Sequence, residues 1–214
     1  MGHNKLFSLT RKFFFEVLSP KFNVSKLKRL MNFLYILFEK VAYHFEIFYS
    51  NYLQLYDELL EKEIKLAKIN SKDKVLVIGS GALPATCILI AKKTNAKVHG
   101  IDIDPVATKK STNFVKNLNL NNLIDFELAD GINYDYSNYD VIFVLYGIIQ
   151  HQNLLVNLSN KIQENSRVIY RTSEDVKEKI IGTNKILSDY FRIEDSFKSE
   201  NIYLNRSYLL TKKK

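Results

Sequence analysis

A chain of 214 residues with 46% apolar content has the size and composition of one α/β domain carrying an extension. Its net charge of +8 comes from 31 basic against 23 acidic residues spread widely, which reads as a lysine-rich surface and not as a nucleic-acid-binding tract. A single cysteine excludes an internal disulfide, argues against a thiolate-rich metal site and fits a reducing cytoplasm, so no metal is expected.

In chain order, residues 1–70 read as a helical cap. Phe13, Phe14, Val17 and Leu18 share one face of a first helix that Pro20 ends. A basic amphipathic start of this kind is expected to pack its aromatics on the body of the protein, with contact to a membrane or partner as the alternative. Leu27, Leu30, Phe33, Leu34 and Leu37 recur at helical spacing in a second helix that runs towards Phe48. Leu53, Leu55, Leu59, Leu60, Ile64 and Leu66 mark a third. The most apolar stretch, Leu30–Phe48, holds Glu39, Lys40, His44 and Glu46, too many charges for a membrane-spanning helix. No secretory signal is expected. The cap helices are also where a homo-oligomer would form.

From residue 71 onward strands and helices alternate. Strands are predicted at Val75–Ile78, Val98–Ile101, Ile124–Leu128, Val141–Leu145 and Arg167–Tyr170. Helices are predicted at Ala85–Lys93, Pro105–Leu118, Leu154–Gln163 and Ser173–Leu187. That alternation implies a mostly parallel, doubly wound α/β sheet. Phe191–Phe197 and Ile202–Thr211, joined by Lys198–Asn201, read as a closing hairpin and so as an antiparallel end to the sheet.

The stretch Val75–Asp104 carries the functional signal. A buried strand runs into Gly79-Ser80-Gly81, where glycines let the backbone turn tightly and approach a ligand. Pro84 stands at the start of the following helix. Asp102 ends the second strand at the distance that sets a carboxylate beside the ribose of a nucleotide. The residues therefore point to an adenosine-containing cofactor. Pro84 occupies the third small-residue position of the dinucleotide fingerprint, which argues against NAD, and no GxxxxGK[ST] occurs.

The remaining arrangement resembles the class I S-adenosylmethionine-dependent methyltransferase fold, a Rossmann-like seven-stranded sheet with an antiparallel last strand. GSG at Gly79–Gly81, Asp102 after strand two, and LADG with Asp130 after strand three match its cofactor features. The resemblance implies S-adenosylmethionine as cofactor, with Gly79, Ser80, Gly81, Ala82, Asp102, Ile103, Asp130 and Gly131 as its binding residues. Asp130 would lie near adenine, with a turn role before Gly131 as the alternative. Asp104 is expected to cap the next helix, and Asp140 to start strand four in a structural role.

GSGALPAT, FYSNYLQL (Phe48–Leu55) and YDVIFVLYG resemble the nicotianamine synthase branch of that fold, and NRSYLLTKK echoes it. Those enzymes transfer the aminocarboxypropyl arm of S-adenosylmethionine and release methylthioadenosine. Where they carry a glutamate after the NYLxL segment, this chain has Leu59 with Glu58 beside it. Where they have an arginine-serine-alanine-histidine-glycine run, it has Arg171-Thr172-Ser173-Glu174-Asp175.

The leading expectation is therefore methyl transfer to a small-molecule acceptor by a cytoplasmic transferase. The alternatives are aminocarboxypropyl transfer of the synthase kind and a non-catalytic S-adenosylmethionine-binding protein. The acceptor is expected over the carboxyl ends of strands four and five, under the N-terminal helices. Tyr146, Gln150 and His151 follow strand four, and His151 is the candidate general base because imidazole titrates near neutrality. Tyr49, Tyr52 and Glu58 are candidates from the roof, Glu58 as the rival base.

Overall fold

The computed structural model describes residues 46–145, 151–173, 183–199 and 205–213. The first two predicted helices, apart from the end of the second, lie outside them. The elements are α1 (Glu46–Ala67), β1 (Lys74–Ile78), α2 (Ala85–Thr94), β2 (Lys97–Asp102), α3 (Pro105–Asn117) and β3 (Ile124–Leu128). Then follow β4 (Val141–Val144), α4 (His151–Lys161), β5 (Arg167–Ser173), α5 (Thr183–Tyr190), β6 (Phe191–Lys198) and β7 (Asn205–Lys212).

The seven strands form one sheet in the order β3-β2-β1-β4-β5-β7-β6. β1 to β5 are parallel, while β7 pairs antiparallel with both β5 and β6. This is the doubly wound α/β architecture expected from the alternation. After β1 the chain winds outward to β2 and β3, then returns to β1's other side as β4. That reversal leaves a crevice over the carboxyl ends of β1 and β4, where such sheets bind ligands.

Alternation along each strand builds the two halves of the core. Val75, Val77, Val141, Phe143 and Ile169 face Leu59 and Leu60 of α1, Ile88 and Ile90 of α2, and Val115 of α3. Leu76, Ile78, Ile142, Val144 and Val168 face Leu154, Leu155 and Leu158 of α4 and Leu187 of α5. Both faces of β1 and β4 are covered, which is why their sequences are continuous apolar runs. Each such side chain contributes about 1.5–3 kcal/mol relative to exposure. Helix α1 packs on α2 and reaches β5 and β7, so it belongs to the same compact unit as the sheet.

Local signals explain the boundaries. Asp104 caps α3 by accepting from the Val106 N–H at 2.8 Å, with Pro105 at the first helical position. Asn95 ends α2 in the left-handed region at φ 58°, its N–H bonded to the Ala91 carbonyl. Asp140 is structural, as its position suggested: its Oδ2 accepts from the Lys74 N–H at 2.8 Å and fastens β4 to β1.

One predicted element is corrected. Ser173 does not start a helix; it ends β5, paired with Asn205 of β7. The antiparallel partner extends β5 by satisfying the backbone groups of residues 171–173, and the helix described there is Thr183–Tyr190. A register shift at Ile193/Asp195 marks a bulge in the outer hairpin. No helix among the described residues is long and apolar enough to cross a membrane.

Candidate functional site

The turn after β1 is held from below by backbone and from the side by one carboxylate. Gly79 and Gly81 have φ of 78° and 69°, values that strain any residue with a Cβ. The N–H groups of Gly79 and Ser80 donate to the Ile101 carbonyl at 2.9 and 3.1 Å. The Gly81 N–H donates to Asp102 Oδ2 at 2.8 Å, and the Asp104 N–H to Asp102 Oδ1 at 2.9 Å. One backbone donor on each oxygen fixes the carboxylate, and each oxygen keeps a lone pair for a further donor.

Glycines also make room. A Cβ on Gly100 of β2 would stand 2.5 Å from the Phe126 ring and 3.1 Å from the Ser80 Cβ. A Cβ on Gly131 would stand 2.5 Å from Ile78 Cγ2, so the loop after β3 lies tight on the end of β1. The Ser80 hydroxyl is buried in this turn with no hydrogen-bond partner among the described residues, and Ala82 is buried too. A buried hydroxyl of that kind is costly unless something else completes it.

Beside the carboxylate lies an apolar surface. Ile103 and Leu128 are 73% and 54% exposed, and Val106 at the start of α3 is 55% exposed. Asp102 and Leu128 are register partners at the carboxyl ends of β2 and β3, so the patch and the carboxylate are adjacent. A fixed carboxylate beside exposed aliphatic side chains suits a ligand with vicinal hydroxyls and a flat ring. Asp130 makes the turn offered as its alternative: its Oδ1 accepts from the Ile132 N–H at 2.9 Å. Tyr136 closes that turn by donating to the Gly131 carbonyl, and burial pushes its phenol pKa up, which keeps the donor proton in place.

Helix α1, expected to supply the roof, packs against a face of the sheet. Tyr52 is buried, its ring 5.1 Å from that of Tyr56. Glu58 instead lies on another face of α1, half-exposed and paired with Lys62 at 2.8 Å. The acid that turns towards the sheet is Glu63, fully buried. It receives a two-pronged ion pair from Arg171 of β5, Nε to Oε1 at 2.8 Å and Nη2 to Oε2 at 2.5 Å. Ser207 of β7 donates to Glu63 Oε1 at 2.6 Å, and Arg171 Nη1 donates to Thr86 of α2 at 3.1 Å. Glu63 falls at helical spacing within the stripe Tyr52, Tyr56, Leu59, Leu60 and Ala67, and an acid inside an apolar stripe is the signal that could have found it.

After β4, Tyr146 and Gln150 lie outside the described residues. The backbone of His151 opens α4 at the carboxyl side of β4; its side chain, like that of Tyr49, is outside the described residues. Among the described residues, no group of three His, Cys, Asp or Glu side chains is placed to hold a metal ion.

The family model for nicotianamine synthase protein matches residues 33–208, from ahead of α1 to β7. A curated relative, L-histidine 2-aminobutanoyltransferase of Yersinia pestis, is 32% identical over 133 residues, covering 60% of this chain and 48% of its own length. The chain thus spans about half the length of this relative. Among solved structures, MtNAS in complex with MTA and tNA superposes with a TM-score of 0.76 at 20% identity, covering 89% of this chain and 76% of that one. An MtNAS point mutant in complex with S-adenosylmethionine gives 0.75 at 19% identity, covering 88% and 77%. An RNA methyltransferase from Salinibacter ruber in complex with S-adenosyl-L-homocysteine gives 0.59 at 19% identity, covering 73% and 92%. At these identities the structural likeness establishes the fold, Rossmann-like and of the class I methyltransferase type.

Proposed function

The chain belongs to the nicotianamine synthase family, and from that premise we propose that it is an S-adenosylmethionine-dependent transferase moving the aminocarboxypropyl arm to a small amine. The observation that carries this reading is the extent of the family match. It covers residues 33–208, so it takes in the roof helix and the antiparallel end of the sheet as well as the cofactor turn. A relative whose name places a 2-aminobutanoyl group on L-histidine supports the same branch.

The residues at the carboxyl ends of β1 to β3 fit the cofactor. Asp102, fixed by Gly81 and Asp104, would hold the ribose hydroxyls. Ile103 and Leu128 would flank adenine, with Asp130 and Gly131 at its edge. Gly79, Ser80, Gly81 and Ala82 would pass close beneath the rest of the molecule, and the Ser80 hydroxyl is a buried polar group awaiting such a partner. When bound, the sulfonium supplies a carbon already electrophilic. The chain's part is to align the acceptor, exclude water and accept its proton. His151, at the start of α4 beyond β4, is the proposed proton acceptor, and Tyr146, also after β4 in the sequence, is proposed to assist it; Glu58, which pairs with Lys62, is the rival acceptor. Residues 1–70 would form the cap, with α1 as its part that packs into the same compact unit as the sheet, and 71–214 the cofactor domain of a cytoplasmic enzyme.

Methyl transfer is the second reading. It is favoured by Leu59, which is 2% exposed in the apolar core where the synthases carry a glutamate. The by-product separates the two. Incubated with S-adenosylmethionine and amine acceptors, L-histidine first, the protein is expected to release methylthioadenosine. Release of adenosylhomocysteine would establish methyl transfer instead, and neither product across the acceptor panel would leave a binding protein.

A further inference from the structure

We propose that Glu63 and Arg171 are positioning residues that lock the roof helix α1 to the helix following the cofactor turn, so that cofactor binding is felt along α1. The proposal rests on the cofactor reading above. Four elements meet at this pair. Glu63 comes from α1, Arg171 from β5, Ser207 from β7, and Thr86 from the first turn of α2, a few residues after the glycine turn. The Arg171 guanidinium also lies 5.9 Å from the ring centroids of Tyr56 of α1 and Phe143 of β4.

Stability alone does not account for such a pair. Arg171 and Glu63 are 4% and 0% exposed, and the desolvation of two buried charges offsets most of their attraction. Apolar side chains filling the same space would hold α1 at least as firmly, as Leu59 and Leu60 do beside them. What an apolar contact does not supply is direction. A two-pronged guanidinium–carboxylate contact fixes both the rotation of α1 and its position along its axis. Tyr52 shares the face of Glu63 and stands roughly 16 Å along the helix from it. A slip of one residue would turn Tyr52 through about 100°. The link through Thr86 makes the orientation of α1 depend on the first turn of α2, and so on whatever the glycine turn holds.

The test is hydrogen exchange with and without S-adenosylmethionine, which needs no acceptor. In the parent protein the cofactor is expected to slow amide exchange in α1 as well as in the glycine turn. The double variant Glu63→Leu with Arg171→Met replaces the pair by apolar groups of similar volume. It should melt within about 5 °C of the parent and bind S-adenosylmethionine within about threefold. Its α1 amides should nevertheless no longer respond to the cofactor. Should that variant not fold, Glu63→Asp keeps both charges and shortens the reach, and the same loss is expected. Protection of α1 that survives either variant overturns the proposal, as does a parent whose α1 ignores bound cofactor. A parent that binds no S-adenosylmethionine overturns the cofactor reading itself, and this inference with it.

Discussion

The carboxyl ends of β1 to β3 and the packing face of α1 each hold a polar cluster beside apolar side chains, and the two clusters are built in opposite ways. At the first, each oxygen of Asp102 takes a single backbone donor and Ile103 and Leu128 are left exposed. At the second, Glu63 and Arg171 are buried and turned upon one another, with Ser207 and Thr86 completing them. Polar groups with capacity left over suit a ligand, whereas groups that complete each other fix geometry. The two regions should therefore answer to mutation in different currencies, affinity for the first and stability for the second.

The largest expected effect lies in the closed region. Arg171→Met alone leaves the Glu63 carboxylate buried without its counter-charge, at a cost of about 3–5 kcal/mol. Urea titration should show the midpoint falling steeply. A variant as stable as the parent would mean that the pair is solvated in solution and the contrast between the regions is false.

Next comes the open region. Asp102→Ala removes a charged acceptor from the cofactor and an anchor from Gly81. Affinity for S-adenosylmethionine measured by calorimetry should weaken by about 1.5–3 kcal/mol, with a smaller change in melting temperature. An unchanged affinity would remove Asp102 from the site. Of similar or slightly smaller size is the effect of Gly131→Ala. Its new Cβ would stand 2.5 Å from Ile78 Cγ2, a branch too close to the backbone to swing away. A loss of stability of about 1–3 kcal/mol is expected from overpacking, read in the same urea titration.

The open region was legible in the sequence and the closed one was not, and the reason is physical. A glycine turn followed by a carboxylate is local: strand, turn and spacing are set within Val75–Asp104, so chain order alone brings Gly81 to Asp102. The strands were equally legible because each buried run must end where its helix begins. Glu63 meets Arg171 only through the fold, since α1 and β5 are distant in sequence and nothing short-range pairs them. Glu58 was the more conspicuous acid beside the NYLxL segment, yet the helical period turns it to Lys62 and solvent. Ser173 was misassigned for a related reason. The strand continues there only because β7, later in the chain, supplies the partner at Asn205.

A third polar cluster lies between these extremes and gives the smallest effect. His99 of β2 sits between two carboxylates of β3, Nδ1 to Asp125 Oδ2 at 2.6 Å and Nε2 to Glu127 Oε2 at 3.2 Å. Its ring stacks near those of Tyr134 and Tyr139, and the Tyr134 hydroxyl donates to Glu127 at 2.8 Å, tying the loop after β3 to the sheet. Burial works to lower the His99 pKa, but the hydrogen bonds and charges of Asp125 and Glu127 outweigh it, and the net shift is upward. A group whose folded pKa is raised contributes stability that is fully present below its unfolded value near 6.5 and is lost as pH rises through the folded value. The two carboxylates are 73% and 53% exposed, so solvent screens the pair and the contribution should stay below about 1 kcal/mol. Stability measured from pH 5.5 to pH 9 in the parent and in His99→Gln isolates it. The parent should hold its advantage at the acid end of that range and give it up towards the alkaline end, while the variant lacks that component. Curves that run parallel would show that His99 does not gain its proton from this fold, and that the cluster is a neutral hydrogen-bonded brace.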